Sequence, residues 1–148
     1  MEIAMEIFIR DIEEKDYPAV LSLWNDVIGN KWVTAENIAP HYARVKNDDN
    51  YKTLVALIDD EVVGFITSAQ TYAVGFDEQF MQINGIAVKS DKHNKGIGTK
   101  LIQSIEKYGH NKGIKNIYLC SGVQRTNAHE FFKRNGYDNH SWCFGKKL

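Results

Sequence analysis

Cysteine, proline and long apolar runs are all scarce in this chain of 148 residues, and each scarcity removes a class of protein. The two cysteines, Cys120 and Cys143, are too few and too far apart for a zinc pattern, and read as buried free thiols rather than a disulfide. The five histidines, at 41, 93, 110, 129 and 140, show no ligand spacing, so no metal is expected. No apolar stretch nears the roughly 20 residues that span a bilayer. The N-terminal MEIAMEIFIR is acidic and short where a signal peptide is basic and then apolar, so a cytoplasmic protein with no membrane partner is expected. Repeats, low-complexity tracts and linkers are missing as well. One domain over residues 1–148 is the reading that remains.

What is present is ordinary in bulk, 43% hydrophobic and 25% charged, but uneven along the chain. Residues 1–88 hold 6 Lys and Arg against 15 Asp and Glu, a balance of −9, while residues 89–148 hold 12 against 4, a balance of +8. Two solvated faces that happen to differ would give this pattern. So would a bifunctional surface whose basic part attracts a polyanion and whose acidic part attracts a cation.

The alternation in IFIRDI predicts a first strand. DYPAVLSLW then begins a helical stripe of Tyr17, Val20, Leu21, Trp24, Val27 and Ile28. Asp16 is its expected N-cap, Pro18 lies in the first turn where a missing N–H costs nothing, and Gly29 ends it. A second helix is expected in TAENIAPHYARVK, starting or breaking near Pro40, since proline disfavours helical geometry at Ala39. YKTLVALIDDEVVGFITSAQTY reads as a hairpin, two β-branched apolar runs around Asp59 and Asp60. The strand FMQINGIAV contains Gly85, which marks a bulge, a close approach to the backbone, or simple tolerance. Then follow a glycine loop, a helix over 97–110, a β run KNIYLCSG, a helix AHEFFKRNG stopped by Gly136, and a last strand around SWCFGKKL. A meander of strands followed by strand and helix in alternation argues for an α+β or α/β fold around one mixed sheet.

The loop KSDKHNKGIGTK precedes an apolar run at Ile97, Leu101, Ile102 and Ile105. The first N–H groups of a helix lack partners within it and carry partial positive charge, so glycines at its mouth let phosphate oxygens come close. Each such charge–dipole contact is worth only about 0.3 to 2 kcal/mol, so a polyphosphate needs several, with Lys92, Lys95 and Lys100 nearby. A Walker loop fails on spacing, because GIGTK does not leave four residues between its glycine and Gly-Lys. A dinucleotide fingerprint fails too: Leu101 stands where the third glycine belongs, and KSDKHNK separates strand from turn.

The run GIAVKSDKHNKGIGTKLI resembles motif A of the GCN5-related N-acetyltransferases (GNAT), an apolar strand, a short loop, then Arg or Gln-x-x-Gly-x-Gly or Ala opening a long helix. His93 stands in the Arg or Gln position, which is a departure. AHEFFKRNGY resembles the family's second signature, and SGVQRTNAH resembles a sequence found just before it in a subset of members. The resemblance implies a mixed, mostly antiparallel sheet of six to seven strands flanked by about four helices, as a monomer or homodimer. It also implies acetyl-coenzyme A as co-substrate. Its pyrophosphate would lie on the amides of His93, Asn94, Lys95, Gly96, Ile97, Gly98 and Thr99, with Lys100 beside them, and its pantetheine would pair with Ile86, Ala87 and Val88. The acceptor would be an amine, with no nucleic acid involved. The −9 half of the chain, where the family places the acceptor, favours a cationic amine.

Acyl transfer to an amine needs a neutral nucleophile and a leaving thiolate. Freeing the lone pair of an amine of pKa about 10.4 costs about 4.6 kcal/mol at pH 7, whereas a thiolate of pKa near 8.5 costs only about 2. The base therefore matters more than the acid. The tyrosine that the family commonly uses as acid is replaced by Phe132, which packs but cannot donate. The strand that carries a glutamate base in some members offers Gln82 and Asn84, neither ionisable. Asp77 and Glu78, at its start, read as solvated surface groups or as bases acting through water. Tyr118 is a candidate replacement acid. Arg125 stands where an asparagine often faces the cofactor, with Asn127 two residues on; it contacts the cofactor, contacts the acceptor, or caps the helix. His129 reads as a half-buried helix residue. An acyl-CoA binding or sensing module, and a nucleotide-binding regulatory domain, are the competing classes.

Overall fold

The computed structural model describes residues 5–148. Five strands, β1 (Phe8–Asp11), β2 (Tyr51–Ile58), β3 (Glu61–Thr71), β4 (Phe80–Val88) and β5 (Ile117–Leu119), lie side by side in chain order. The first four are antiparallel neighbours. Between β4 and β5 the chain crosses over through a helix, and the sheet is mixed. Among the described residues the four α-helices are α1 (Tyr17–Leu23), α2 (Ile38–Val45), α3 (Ile97–Asn111) and α4 (Thr126–Arg134). The contacts gather in two units, one ending at Tyr118 and the other running from Leu119 to Leu148.

Sheet alternation sorts the core of the first unit into two layers. Val55, Leu57, Phe65 and Ala87 meet Val20, Leu23, Ile38 and Tyr42 from α1 and α2. Ile97, Leu101, Ile102 and Ile105 form the fully buried stripe of α3. Burying each such side chain contributes about 1.5–3 kcal/mol, which is why the amphipathic pattern, rather than helix propensity, fixes these elements.

The hairpin forms as its residues dictate. Asp59 and Asp60 both take positive φ, 50° and 63°, the backbone of a two-residue turn whose twist matches the strands it joins. Pro18 lies at the start of α1, and α2 begins at Ile38 and carries Pro40 within its first turn instead of breaking there. Gly29, at φ 80°, ends the first helical segment, but its last turn is widened: Trp24–Ile28 is π-helical.

Four expectations are corrected. Asp16 does not cap α1 with its side chain. It closes a short 3₁₀ turn, where its carboxylate accepts from the Glu13 N–H at 2.8 Å and is gripped by Arg10. The sheet has five strands among the described residues, not six or seven. No ladder forms at SWCFGKKL, where Trp142 and Phe144 are 84% and 88% exposed. Short apolar alternation becomes a strand only when an edge pairs with it. Cys120 and Cys143 are free but exposed, not buried. The Cys120 thiol is pushed above its ordinary value by a hydrogen bond with Cys143 and by partial burial.

Candidate active site

β4 is the spine of the site. Thr67 of β3 pairs with Gly85 and Ser68 pairs with Ile83, so Asn84 is an extra residue and the strand is bulged there. Gly85 has the close approach that its residue type suggested: a Cβ added to it would stand 2.6 Å from Cη2 and 2.7 Å from Cζ2 of Trp24. A bulge and a tight contact therefore coincide at Gly85. Gln82 and Asn84 are exposed, and Ile86, Ala87 and Val88 follow toward the loop.

One edge of β4 pairs with β3 along the whole strand. On its other edge β5 is only three residues long, and the Met81 N–H donates to the Asn116 carbonyl at 3.0 Å where the two strands meet. The later part of β4 thus outruns its neighbour and leaves an edge that an extended chain can pair with. Tyr118 sits on β5, its ring edge-on to Phe76 at 6.0 Å and to Phe80 at 5.8 Å.

After Val88 the chain turns through Ser90–Lys92 and enters α3. The His93 ring lies 2.7 Å from the Val88 carbonyl, in the orientation where Nε2 donates to it, so the side chain holds the loop while its backbone stays available. Asn94 and Gly96 take positive φ, 62° and 81°, and nothing lies within 4 Å of where a Gly96 Cβ would be. That open cradle stands at the N-terminus of a 15-residue helix whose Lys100 N–H bonds the Gly96 carbonyl at 3.0 Å. The N–H groups of Ile97, Gly98 and Thr99 consequently precede the helical ladder, as an anion site requires. Lys95 and Lys100 are exposed and Lys92 half-buried beside them. Lys89, by contrast, is engaged: its ammonium meets Glu61 Oε1 at 2.6 Å, and this hydrogen bond raises its pKa.

In the second unit, Arg125 occupies the N-cap position of α4, where its N–H donates to the Gly122 carbonyl at 3.0 Å. Asn127 is exposed in the first turn. The His129 ring contacts the Gly122 carbonyl at 2.8 Å and is half-buried, a role in the turn. Phe132 is 8% exposed and packs against Phe131, tilted, and Tyr137, edge-on, at 5.5 Å and 6.4 Å between centroids. Gly136, at φ 89°, ends the helix as expected, with the Tyr137 N–H returning to the Phe132 carbonyl at 3.0 Å.

Two other features frame the site. Asp77 and Glu78 are exposed in the turn before β4. A cavity of about 890 Å³ lies apart from the bulge, walled by β1, α1, the β2–β3 turn and Lys89–Asp91, and it contains the Arg10–Asp16 and Lys89–Glu61 pairs. Among the described residues no group of three or more His, Cys, Asp or Glu is placed to hold a metal ion. No helix among them is long and apolar enough to cross a membrane. Sequence reasoning missed the Trp24 contact. A large residue in a helix and a glycine in a distant strand form a lock only once the fold brings them together.

A bulged strand that outruns its neighbour and feeds a glycine-opened helix defines a class. A model of the acetyltransferase (GNAT) family matches residues 8–137. The chain belongs to that family: it is an N-acetyltransferase by family, and acetyl-CoA is its co-substrate. It is 27% identical over 140 residues to an aminoalkylphosphonate N-acetyltransferase of Salmonella typhimurium, covering 95% of this chain and 90% of the relative. Among solved structures, a transcriptional regulator from Bacillus halodurans matches with a TM-score of 0.89 at 21% identity, over 97% of this chain and 100% of that one. An aminoglycoside acetyltransferase from an uncultured soil metagenomic sample, in complex with sisomicin, matches with a TM-score of 0.81 at 22% identity, over 96% of each chain. At such identities the structural likeness shows the fold.

Proposed function

We propose that this chain is one acetyltransferase domain that moves an acetyl group from acetyl-CoA to a primary amine, a small cationic metabolite or a peptide or protein amine, by direct attack in a ternary complex. The carrying observation is the continuous path from the Asn84 bulge, along the open edge of Ile86–Val88, into the Gly96 cradle. Acetyl-CoA supplies an activated acyl carbon and a thiol leaving group. The amides from His93 to Thr99 hold its pyrophosphate, Lys95 and Lys100 add attraction, and β4 pairs with its extended arm. Arg125, Asn127 and Phe132 are the contributions assigned to the second unit.

In this reading Gln82 and Asn84 serve by orientation. Neither side chain takes a proton near neutrality, but each carries an acceptor oxygen and two donors that can position the amine or a water relaying its proton. Tyr118 is the proposed donor to the departing thiolate. Its contribution is the smaller one, because the thiolate costs only about 2 kcal/mol against about 4.6 for freeing the amine.

A cationic acceptor is favoured by the −9 balance of residues 1–88. The relatives suggest two amine classes that differ in charge, aminoglycosides and aminoalkylphosphonates. Acetylation of sisomicin, a polyamine and aminoethylphosphonate, at low and high ionic strength, decides between them. The polycations should react faster than the phosphonate, with the advantage shrinking as salt rises. A phosphonate that reacts faster at every salt concentration would overturn the charge argument and leave the acetyltransferase assignment standing.

A further inference from the structure

The contact between Trp24 and Gly85 ties an element outside the strand–loop–helix path to the place where the path is bent. Trp24 opens the π-helical turn, in which the N–H groups of Gly29 and Asn30 both reach its carbonyl, at 3.0 and 3.3 Å. Widened turns of this kind re-aim side chains and recur at functional sites. The indole packs on Phe65 of β3, with ring centroids 5.4 Å apart, and on Gly85 of β4. Those two strand positions flank one stretch of ladder, since Phe65 pairs with Ala87 and Thr67 with Gly85. Trp24 therefore bears on the bulged segment from the α1 side. The chain's other tryptophans, Trp32 and Trp142, are each 84% exposed.

We infer that Trp24 is a positioning residue: its indole, seated where any side chain at position 85 would stand, holds the Asn84–Gly85 bulge in the shape that meets the acetyl end of the co-substrate. The inference rests on the acetyl-CoA reading of β4 and adds a residue to it. If Trp24 were ordinary core packing, disturbing it would lower stability and leave the discrimination between acetyl-CoA and coenzyme A untouched. A positioning role separates the two ligands. The phosphate loop, where both bind alike, lies beyond Val88, whereas the bulge concerns the acetyl end.

The experiment compares the wild type with Gly85→Ala, Trp24→Phe and the Trp24→Phe/Gly85→Ala pair. Affinities for acetyl-CoA and for coenzyme A are measured by calorimetry, alongside Tm. In Gly85→Ala the new methyl displaces the indole, and acetyl-CoA binding should weaken roughly tenfold, the worth of about one hydrogen bond lost at the acetyl end. Coenzyme A binding should change by less than about threefold, because the loop amides are untouched. Trp24→Phe removes Cζ2 and Cη2, the atoms a Cβ at 85 would meet, and leaves the bulge unsupported, so alone it should also weaken acetyl-CoA more than coenzyme A; in the pair the alanine methyl refills that space and should recover most of the lost acetyl-CoA affinity. A second readout is spectroscopic. With Trp32→Phe and Trp142→Phe, Trp24 is the sole tryptophan, and its emission should shift on adding acetyl-CoA and less on adding coenzyme A. Equal losses for both ligands in Gly85→Ala, a double variant no better than the single one, or emission indifferent to the acetyl group would each overturn the inference. A wild type that binds neither ligand would instead overturn the acetyl-CoA reading beneath it. Should Gly85→Ala fail to fold, the double variant and the single-tryptophan emission still decide.

Discussion

Arg10 holds Asp16 with both guanidinium nitrogens, Nη1 to Oδ2 at 2.6 Å and Nη2 to Oδ1 at 3.0 Å, across the junction between β1 and the first helical segment. Asp16 is 3% exposed, and its Oδ2 also accepts from the Glu13 N–H. Burial alone would raise the Asp16 pKa, but the Arg10 hydrogen bond and the Glu13 N–H together outweigh it and hold the pKa below its usual 3.8.

That balance fixes a pH dependence. Because folding lowers the Asp16 pKa, the pair's stabilisation is fully present above the unfolded value of 3.8 and is lost as pH falls through the lower folded value. Asp16→Asn should destabilise the protein by about 2–3 kcal/mol at neutral pH, the cost of breaking a buried charge-assisted contact. Urea unfolding of the two proteins, followed from neutral pH into the acid range, should show the gap closing below pH 3.8. A gap that persists unchanged in acid would assign the effect to packing.

Gly98→Val should abolish the thermal stabilisation that acetyl-CoA gives, since a branched side chain in the first turn of α3 would fill the space proposed for the pyrophosphate. Gly96→Ala is the companion test. Its Cβ meets nothing within 4 Å, but φ 81° is strained for alanine, so the apoprotein should lose about 1 kcal/mol. An undiminished acetyl-CoA shift in Gly98→Val removes this loop from the site.

His93 makes a separate contribution through Val88. His93→Ala deletes the 2.7 Å contact to the Val88 carbonyl, and acetyl-CoA affinity should fall by about 0.5–1.5 kcal/mol as the loop loses its tie. His93→Gln, with a donor of similar reach, should recover most of it. Equal losses in the two variants would show that the imidazole is needed for something besides the tie.

Phe132→Tyr tests the departure in the second signature. General acid catalysis is worth at most about 10²–10⁴-fold, and the thiolate's small cost limits the gain expected here to about tenfold. The position is 8% exposed, so the new hydroxyl also needs a partner and otherwise costs about 1–3 kcal/mol of stability. Steady-state rates with Tyr118→Phe on both backgrounds separate the cases. If Tyr118→Phe slows the wild type but not Phe132→Tyr, Tyr118 is the donor that the added hydroxyl replaces.

Local rules made much of this protein legible. The pair Asp59–Asp60 announced its turn because few residues tolerate left-handed φ. Gly29 and Gly136 announced helix ends for the same reason. The glycine loop before an amphipathic helix announced a helix mouth with open amides, because those groups belong to the backbone and do not depend on distant partners. The same local evidence misled at SWCFGKKL, where the alternation pairs with no strand, and at Asp16, where Arg10 from the preceding strand claimed a carboxylate that looked like a cap.

The sequence by itself determined the helix periods, the hairpin and the glycine loop that opens α3, all set by interactions within a few residues along the chain. Only the tertiary structure decided the rest. Three of Gly85's possible meanings became two when Trp24, 61 positions earlier, came to rest 2.6 Å from its missing Cβ and the ladder left Asn84 unpaired. Register and close packing are relations between distant segments, and they take definite values only when the sheet and the helix that covers it are assembled together.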